Sequence, residues 1–559
     1  MKYKAKQRCA ADNDTSNNMK LGVLLAMLGC SQASIAADIP TGVRDLNLRW
    51  DNTLKYSVAA RLKDPSDELI ADPNQDDGDR SFDKGLISNR VDLLSQLDLV
   101  YKRQYGVRVS GAAWYDDVYN QSNDHDSPAT ANNFSVPNDE FNDRTEELHG
   151  KDVELLDAFA FGSWRPGGKR LTVRAGRHAI LYGESLFFGN NGIAGTQAPT
   201  DVIKLLSVPN SQFQEIIRPV GQISSELQLN SNLSIGGFYQ FEWEENRIPS
   251  AGSFFSAADV IEGGERFLLG PVDPTTQVGP ALFRTGDIDA SDSGQFGLKL
   301  SWRPEAVDAE FGFYAVNYHD KSPQYYLIPG AAVNPPIGKF GEYQLVYPED
   351  IRAYGVSFST NVGDANVAGE FSTRRDVALV SDPQFTVPGS GADNDANPAY
   401  AVGNSVHAQL STIYIATRNA VWDSATFLGE VAWNRATSVK ENRSALAANA
   451  SRDAWATRFV FEPSWFQVAP GLDLSVPLGV GYSGEGNSSA VWQFNPGGEK
   501  GGDVNLGIKA LYDQRWKFGA SYSHFFGSEG TALNSAGQFS FKQSLADRDY
   551  VSAYVQRTF

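Results

Sequence analysis

Cysteine is almost absent from this sequence of 559 residues. The two cysteines, Cys9 and Cys30, both lie within the first 36 residues. The rest of the chain therefore has no disulfide framework, no thiol nucleophile and no cysteine-ligated metal. This absence excludes the small disulfide-stapled folds and the cysteine-dependent enzymes.

Long hydrophobic runs and positive charge are also scarce. Beyond the N-terminal region, no segment offers the ~18 or more uncharged apolar residues that a transmembrane helix needs. Lys and Arg together number 48 against 67 Asp and Glu, which gives a formal net charge of -19. Such a charge argues against a nucleic-acid partner, because binding to phosphates depends on basic side chains.

The N-terminal region has the features of an export signal. Lys20 precedes an apolar run at 21–28, and small residues at 33–36 match the positions that a signal peptidase recognises. We expect a signal peptide and leader at 1–36, cleavage after residue 36, and a mature chain at 37–559. Met19 is an alternative true start, and Cys30 allows the alternative of a lipidated cysteine.

The mature chain is rich in glycine and aromatic residues and shows a strand-like alternation. In the segment 91–99 the odd positions are mainly apolar, whereas Asp92, Gln96 and Asp98 point to the other face. The segment 106–115 continues the alternation after a tight turn. These two runs predict the two strands of a hairpin.

The same pattern recurs to the end of the chain and predicts an all-β protein. Short turns alternate with long polar connections, as in outer-membrane barrels, and many strand ends carry Trp, Tyr or Phe. We therefore expect a transmembrane antiparallel β-barrel of about 18 strands (range 14–20) in the bacterial outer membrane, in contact with its lipid and lipopolysaccharide. The predicted strands are 46–59, 91–99, 106–115, 153–164, 171–182, 222–228, 233–242, 295–302, 307–318, 353–360, 366–374, 406–416, 425–434, 456–465, 472–482, 504–512, 516–525 and 549–559.

The last predicted strand ends in Phe559. Its apolar residues fall on one face and include this terminal aromatic. That pattern is close to the signal read by the barrel assembly machinery, which we accordingly expect as a partner.

Two of the long connections are too apolar for a solvated surface loop. We expect the connection 183–217 to fold into the lumen, with a short capped helix beginning after Asp201, and the connection 246–294 to fold inward as well. They either plug the barrel permanently or form an apolar constriction. The candidate gate residues are Glu184, Ser185, Leu186, Phe187, Phe188, Asp201, Val202, Leu205 and Leu206, and the second apolar loop is marked by Phe254, Phe255, Phe267 and Leu268.

Polar residues on the inward face of the predicted strands would line the lumen wall. Charges in a barrel lumen are ordinary, so these positions indicate the wall and not a binding site. They are Asp92, Asp98, Arg108, Arg174, Arg177, Glu430 and Lys509.

Catalytic and metal motifs are weak. The six histidines come with no nucleophile elbow and no metal-ligand spacing, so we expect no enzyme activity and no cofactor. Solvated loop acids are the simpler interpretation of the acidic segment 72–79. Its resemblance to a calcium loop marks Asp72, Asn74 and Asp76 as possible ligands, although Gly78 stands one position late for an EF-hand.

One stretch of the chain resembles a known family. Residues 176–188, continuing through 192–193 and 199–201 to 218–220, are similar to a large proteobacterial family catalogued as domain of unknown function 1302, although His178 and Tyr182 stand where Gln and Trp are expected. The resemblance implies an outer-membrane barrel that works with a periplasmic or lipoprotein partner and a resistance-nodulation-division type transporter. It implies a part in envelope transport of hydrophobic compounds and supplies no catalytic residues.

The sequence thus predicts an outer-membrane channel for a hydrophobic or amphipathic small molecule. A general or ion-selective porin is the first alternative. A barrel enzyme or a surface adhesin is the second.

Overall fold

The computed structural model describes residues 37–273, 275–276, 278–492, 494 and 497–559. The predicted leader at 1–36 lies outside the described residues. Within the described part of the chain, no helix is long and apolar enough to cross a membrane.

The chain forms a closed antiparallel β-barrel of 18 strands, and this confirms the predicted fold. Most strands extend further toward the long loops than the alternation predicted. In chain order they are β1 (Leu46–Arg61), β2 (Gly85–Tyr101), β3 (Tyr105–Asp116), β4 (Lys151–Trp164), β5 (Leu171–His178), β6 (Val220–Asn230), β7 (Leu233–Gln240), β8 (Phe296–Trp302), β9 (Ala309–Tyr318), β10 (Ile351–Val362), β11 (Ala365–Ala378), β12 (Val402–Ala416), β13 (Ser424–Glu441), β14 (Asp453–Ala469), β15 (Leu472–Ser475 and Leu478–Ser483), β16 (Gly502–Tyr512), β17 (Trp516–Phe526) and β18 (Tyr550–Thr558).

The first and last strands close the ring. β1 pairs with β18 from Thr53 opposite Thr558 to Arg61 opposite Tyr550. Phe559 then exchanges two backbone hydrogen bonds of 2.8 Å with Asn52. The role of Phe559 in assembly stays a prediction.

Strand β15 is interrupted where proline enters the ladder. Pro477 has no N–H to donate to a neighbouring strand. Its carbonyl still accepts the N–H of Gly507 at 2.9 Å, and Val476 donates to the carbonyl of Pro463 at 3.1 Å. The register therefore continues through the interruption, and we count the two segments as one strand.

The two ends of the barrel differ in the length of their connections. At one end the strands are joined by short turns such as 102–104 and 363–364. At the other end lie long loops, here numbered by order: L1 (62–84), L2 (117–150), L3 (179–219), L4 (241–295), L5 (319–350), L6 (379–401) and L9 (527–549). The short helical turns among the residues that the structure describes are Asp77–Arg80, Val118–Asn120, Asp143–Thr145, Glu146–Gly150, Pro166–Gly168, Ile193–Thr196, Val202–Ser207, Phe213–Ile216, Pro335–Ile337 and Arg443–Ala445.

Strand alternation separates an apolar outer face from a polar inner face. Buried Glu370 is followed by Phe371, which is exposed, and buried Glu430 is followed by exposed Val431. Val153 and other outward positions are exposed in the same way. An apolar band on the outside of a closed barrel is the surface that a bilayer covers.

The long loops build a cap with a core of its own. A five-stranded sheet forms from segments of L4, L5 and L6, and its members are Arg266–Leu268, Ala281–Arg284, Gln324–Asn334, Lys339–Val346 and Gln384–Phe385.

The second apolar loop belongs to this cap. Phe254 and Phe255 are 1% and 7% exposed and pack with Phe82 and Tyr119 of other loops. Phe267 and Leu268 lie in one strand of the five-stranded sheet. Phe254 and Phe255 are enclosed by other loops and by strand ends at the mouth, and Leu268 is enclosed by other cap residues, so these three side chains do not line an open channel. The predicted inward-folded loop 246–294 would have placed them in the lumen. Phe267 is half-buried.

A buried ion network ties the cap to the barrel. Asp79 of L1 lies 2.8 Å from a guanidinium nitrogen of Arg61 on β1 and 2.9 Å from one of Arg548 on L9. Asp547 is a second partner of Arg61, at 2.8 Å. The side chains of Arg61, Asp79 and Arg548 are almost completely buried. Loss of one charge would leave the others without compensation in a low-dielectric site.

We predict that Asp79→Asn opens L1 without unfolding the barrel. Removing one partner of a buried ion pair costs about 3 kcal/mol or more, which corresponds to roughly 100-fold in the opening equilibrium. Hydrogen exchange of amides 62–84 should accelerate accordingly. The control is Asp64→Asn, because Asp64 pairs with Lys84 at the exposed surface. Equal exchange in both variants would contradict the structural importance of the network.

Candidate functional site

Residues 183–217 of L3, here called the crossing loop, hydrogen-bond to the barrel wall at two distant places. The first is Glu430, in the middle of β13. One carboxylate oxygen accepts the backbone N–H groups of Leu186, Phe187 and Phe188 at 3.2, 2.5 and 3.0 Å, and the other accepts the hydroxyl of Ser185 at 3.2 Å. A single side chain thereby satisfies four donors of a segment without regular secondary structure.

Strand β11 extends this attachment. Glu370 accepts the N–H groups of Glu184, at 3.1 Å, and Ile193, at 2.5 Å. Arg374 donates to the carbonyl of Gly192 at 3.0 Å. Glycine is required at 183, where φ is +100° and a Cβ would collide with the carboxylate of Glu370.

The second attachment lies on β4. Asp201 caps the helix Val202–Ser207 by accepting the N–H of Lys204 at 2.7 Å, which confirms the predicted capped helix. The Lys204 ammonium lies 2.7 Å from Glu154 of β4, and Arg247 bridges Glu154, at 2.7 Å, and Asp201, at 2.9 Å. β4 and β13 are half of the 18-strand ring apart and therefore face each other across the barrel.

After the second attachment the loop makes further hydrogen bonds to the barrel wall. Asn210 donates to Gln556 of β18 at 2.7 Å, and the amides of Gln214 and Gln96 of β2 are 2.8 Å apart. All of these wall partners lie within their strands and not at the strand ends. The segment therefore passes through the interior of the barrel.

The apolar side chains of the crossing loop divide into anchored and exposed groups. Phe188 packs against Phe494 with ring centroids 5.7 Å apart, and Leu206 packs on the aromatic core of the cap. Leu186 and Leu205 are 38% and 56% exposed, and Phe213, which the sequence analysis did not select, is 64% exposed. Phe187 and Val202 are half-buried.

Two carboxyl groups of the loop contribute to its polar contacts. Glu184 donates its backbone N–H to Glu370, and burial raises the pKa of its own carboxyl above the usual value. Asp201 is enclosed and fully engaged by Lys204 and Arg247.

The predicted lumen-wall residues are mostly paired with other charges. Asp98 and Arg108 form a bidentate pair at 2.7 and 2.9 Å. Lys509 lies 3.0 Å from Glu462. Arg174 is exposed and stands 5.8 Å from the Phe159 ring centroid. The remaining pairs are Asp92 with Arg90, and Arg177 with Glu242 and Glu244.

One set of hydrogen bonds has the order of a catalytic triad. The hydroxyl of Ser405 lies 2.7 Å from Nε2 of His407, and Nδ1 of His407 lies 3.2 Å from Oδ1 of Asn191. Ser405 is 0% exposed and the two others are 1% exposed. A hydroxyl enclosed in this way has no access to a substrate, so the set attaches Asn191 of the crossing loop to β12.

Most of the predicted calcium ligands already form hydrogen bonds within the protein. Asp72 accepts the backbone N–H of Asn74 and the side-chain amide of Gln75. The Asn74 amide both donates to and accepts from the backbone of Leu268, at 3.1 and 2.7 Å. Of the three predicted ligands, Asp76 alone has a buried oxygen without a hydrogen-bond partner among the described residues.

Three residues that hold the crossing loop, Glu154, Glu370 and Asn191, were not predicted from the sequence. Glu370 could have been predicted, because it occupies an inward-facing position of a predicted strand, as Glu430 does. Asn191 and the bridge from Glu154 to Lys204 and Arg247 had no sequence signal, because these contacts join residues that are 50 to 216 positions apart.

We predict that Glu430→Ala releases the loop from β13. Each unsatisfied buried donor costs about 1–3 kcal/mol, so amides 186–188 should exchange at least roughly tenfold faster. Exchange of the barrel strands should stay unchanged. The control is Glu462→Ala, because Glu462 bonds Ser475 and Lys509 and not the loop. Unchanged protection at 186–188 in Glu430→Ala would show that this carboxylate does not hold the loop.

Comparison with known proteins gives a family and distant structural relatives. No curated protein matches the chain. Among solved structures, OccAB1 of Acinetobacter baumannii is 10% identical over 94% of this chain and 99% of its own, with a TM-score of 0.42, and OccAB4 of the same organism is 11% identical over 92% and 98%, with 0.41. OpdK of Pseudomonas aeruginosa, solved with vanillate, is 10% identical over 92% and 98%, with 0.38. No functional assignment follows from likenesses this distant. The family described as Protein of unknown function (DUF1302) matches residues 18–559, and the chain belongs to that family.

Proposed function

We propose that the protein is an outer-membrane channel for a hydrophobic or amphipathic small molecule, with the crossing loop as its constriction. The closed barrel with its apolar outer band is suited to a bilayer, in which every backbone group of a spanning structure must be paired. Passage would occur by partitioning and diffusion, without chemical conversion of the solute.

The exposed apolar side chains of the crossing loop carry this proposal. Backbone N–H groups of the loop bond to Glu430 on one side, and its Lys204 pairs with Glu154 on the other. What remains accessible inside the barrel includes Leu186, Leu205 and Phe213. An apolar lining at a constriction favours apolar solutes, because the transfer of apolar surface from water to apolar surroundings is favourable.

The pairing of wall charges weighs against the ion-selective alternative. Selective ion pores present rings of like charge to the permeating ion. Here Asp98 is neutralised by Arg108, Lys509 by Glu462, and Asp503 by Arg458. These walls present alternating charges that cancel over short distances. A periplasmic or lipoprotein partner and a resistance-nodulation-division type transporter stay predictions from the family resemblance.

We predict that polar substitution of the exposed loop residues selectively impairs apolar solutes. A double variant Leu186→Asn and Phe213→Asn should reduce uptake or export of apolar compounds by about fivefold or more, since contact with one such side chain contributes about 1–2 kcal/mol. Transport by whole cells should be measured for a panel of apolar and polar molecules, with a deletion strain as the baseline. The matched control is Phe371→Ala, which removes an outward-facing aromatic ring beside Glu370.

The panel distinguishes the alternatives. Equal loss of small polar and apolar solutes in the deletion strain would favour a general porin. Hydrolysis of a panel compound that disappears on replacing one histidine would favour a barrel enzyme. A deletion without any transport effect would contradict the proposal.

A further inference from the structure

Three long loops meet at a buried acidic cluster in the cap. Asp76 and Asp77 come from L1, His125 from L2 and Asp259 from L4. Each is at most 4% exposed. Potential ligand atoms of Asp76, Asp77 and His125 all lie within 4.8 Å of one another. Two oxygens bound to one Ca²⁺ at 2.3–2.6 Å can be about 5 Å apart, so the spacing fits a shared ion.

The cluster has carboxylate oxygens that no protein group satisfies. Oδ1 of Asp76, which is 2% exposed, and Oδ1 of Asp259, which is 0% exposed, lack a hydrogen-bond partner among the described residues. The other oxygen of Asp76 accepts from Arg80 at 2.6 Å, and that of Asp259 accepts the N–H of Asp77 at 3.1 Å. An unpaired buried carboxylate oxygen is costly, and a bound ion is one of the few ways to compensate it.

Asp77 is held in place by neutral donors. The side-chain amide of Asn132 donates to Oδ2 at 2.7 Å, and the hydroxyl of Thr130 donates to Oδ1. Nε2 of His125 lies 3.1 Å from Oδ1. Nδ1 of His125 accepts the N–H of Ser127 at 3.2 Å, which leaves the ring proton on Nε2 to be donated to Asp77. His125 therefore orients a carboxylate, and the ligand atoms offered are oxygens.

Negative charge in the cluster exceeds the positive charge that reaches it. Arg80 is shared between Asp76 and Asp126, and Arg548 is engaged by Asp79. The cluster therefore carries an excess of buried negative charge that a bound cation would offset.

We propose that this cluster binds a divalent cation that prefers oxygen ligands, Ca²⁺ or Mg²⁺, through Asp76 and Asp77, with the buried carboxylate of Asp259 adding negative charge beside them. The ion binds L1 beside Asp259 of L4, and L2 is connected to it through His125 and Asn132, which hold Asp77 in place. It thereby fixes the cap over the barrel mouth. Oxygen donors of carboxylates are the ligands that these hard cations take. The site differs from the sequence-based hypothesis, because Asp72 and Asn74 are structural and Asp77 and Asp259 take their places.

The test uses the full mature chain, folded in detergent without lipopolysaccharide. After treatment with EDTA and dialysis, ⁴⁵Ca²⁺ equilibrium binding and isothermal titration with CaCl₂ or MgCl₂ should give one ion per chain. Hydrogen exchange of amides 72–80, 123–133 and 256–262 should slow by about tenfold or more on adding the ion, because binding to the folded state alone stabilises it. NaCl at matched ionic strength should not reproduce this protection.

Matched variants decide the ligand set. Asp76→Asn and Asp259→Asn should each weaken binding by about tenfold or more, whereas Asp72→Asn, in the same loop, should bind like the wild type. Hydrogen exchange of the amides in the barrel strands identifies any variant that fails to fold. The proposal is overturned if the wild type binds neither ion at millimolar concentration, if NaCl gives equal protection, or if both Asp76→Asn and Asp259→Asn bind like the wild type.

Discussion

The carboxylate of Glu430, accepting three consecutive backbone N–H groups, is the contact on which the interior of this barrel depends. A segment that leaves the wall and crosses a wide lumen loses the strand ladder that satisfied its backbone. Glu430 and Glu370 replace that ladder at 184–193, and the ion pairs at Glu154 fix the other side. The loop is therefore attached at both ends of its path and not merely folded inward.

The cap and the crossing loop are parts of one arrangement. Leu206 of the crossing loop packs on the aromatic core formed by Phe82, Tyr119 and Phe254, and Arg247 of L4 holds the helix cap Asp201. The same L4 supplies Asp259 to the acidic cluster and belongs to the five-stranded sheet. A change in the cap can thus affect the crossing loop through residues that are in direct contact.

Strand alternation and turn length predicted the barrel because both are local properties. An inward glutamate in an apolar strand, such as Glu430, is visible in the same way. The cap sheet was not predictable, since it pairs segments of L4, L5 and L6 whose register depends on tertiary packing. The location of Phe254 and Phe255 in the fold could not be predicted either. Their apolar side chains are expected to avoid water, but this does not show whether they line a lumen or pack in a core.

In the proposed function the crossing loop is the narrowest part of the path, and single-channel conductance measures this most directly. Residues 184–192 would be replaced by a short Gly-Ser linker, with replacement of the exposed tip 387–391 of L6 as the control. We expect a several-fold rise in KCl conductance for the first variant and none for the second. Equal conductance in the wild type and both variants would show that the loop does not limit passage.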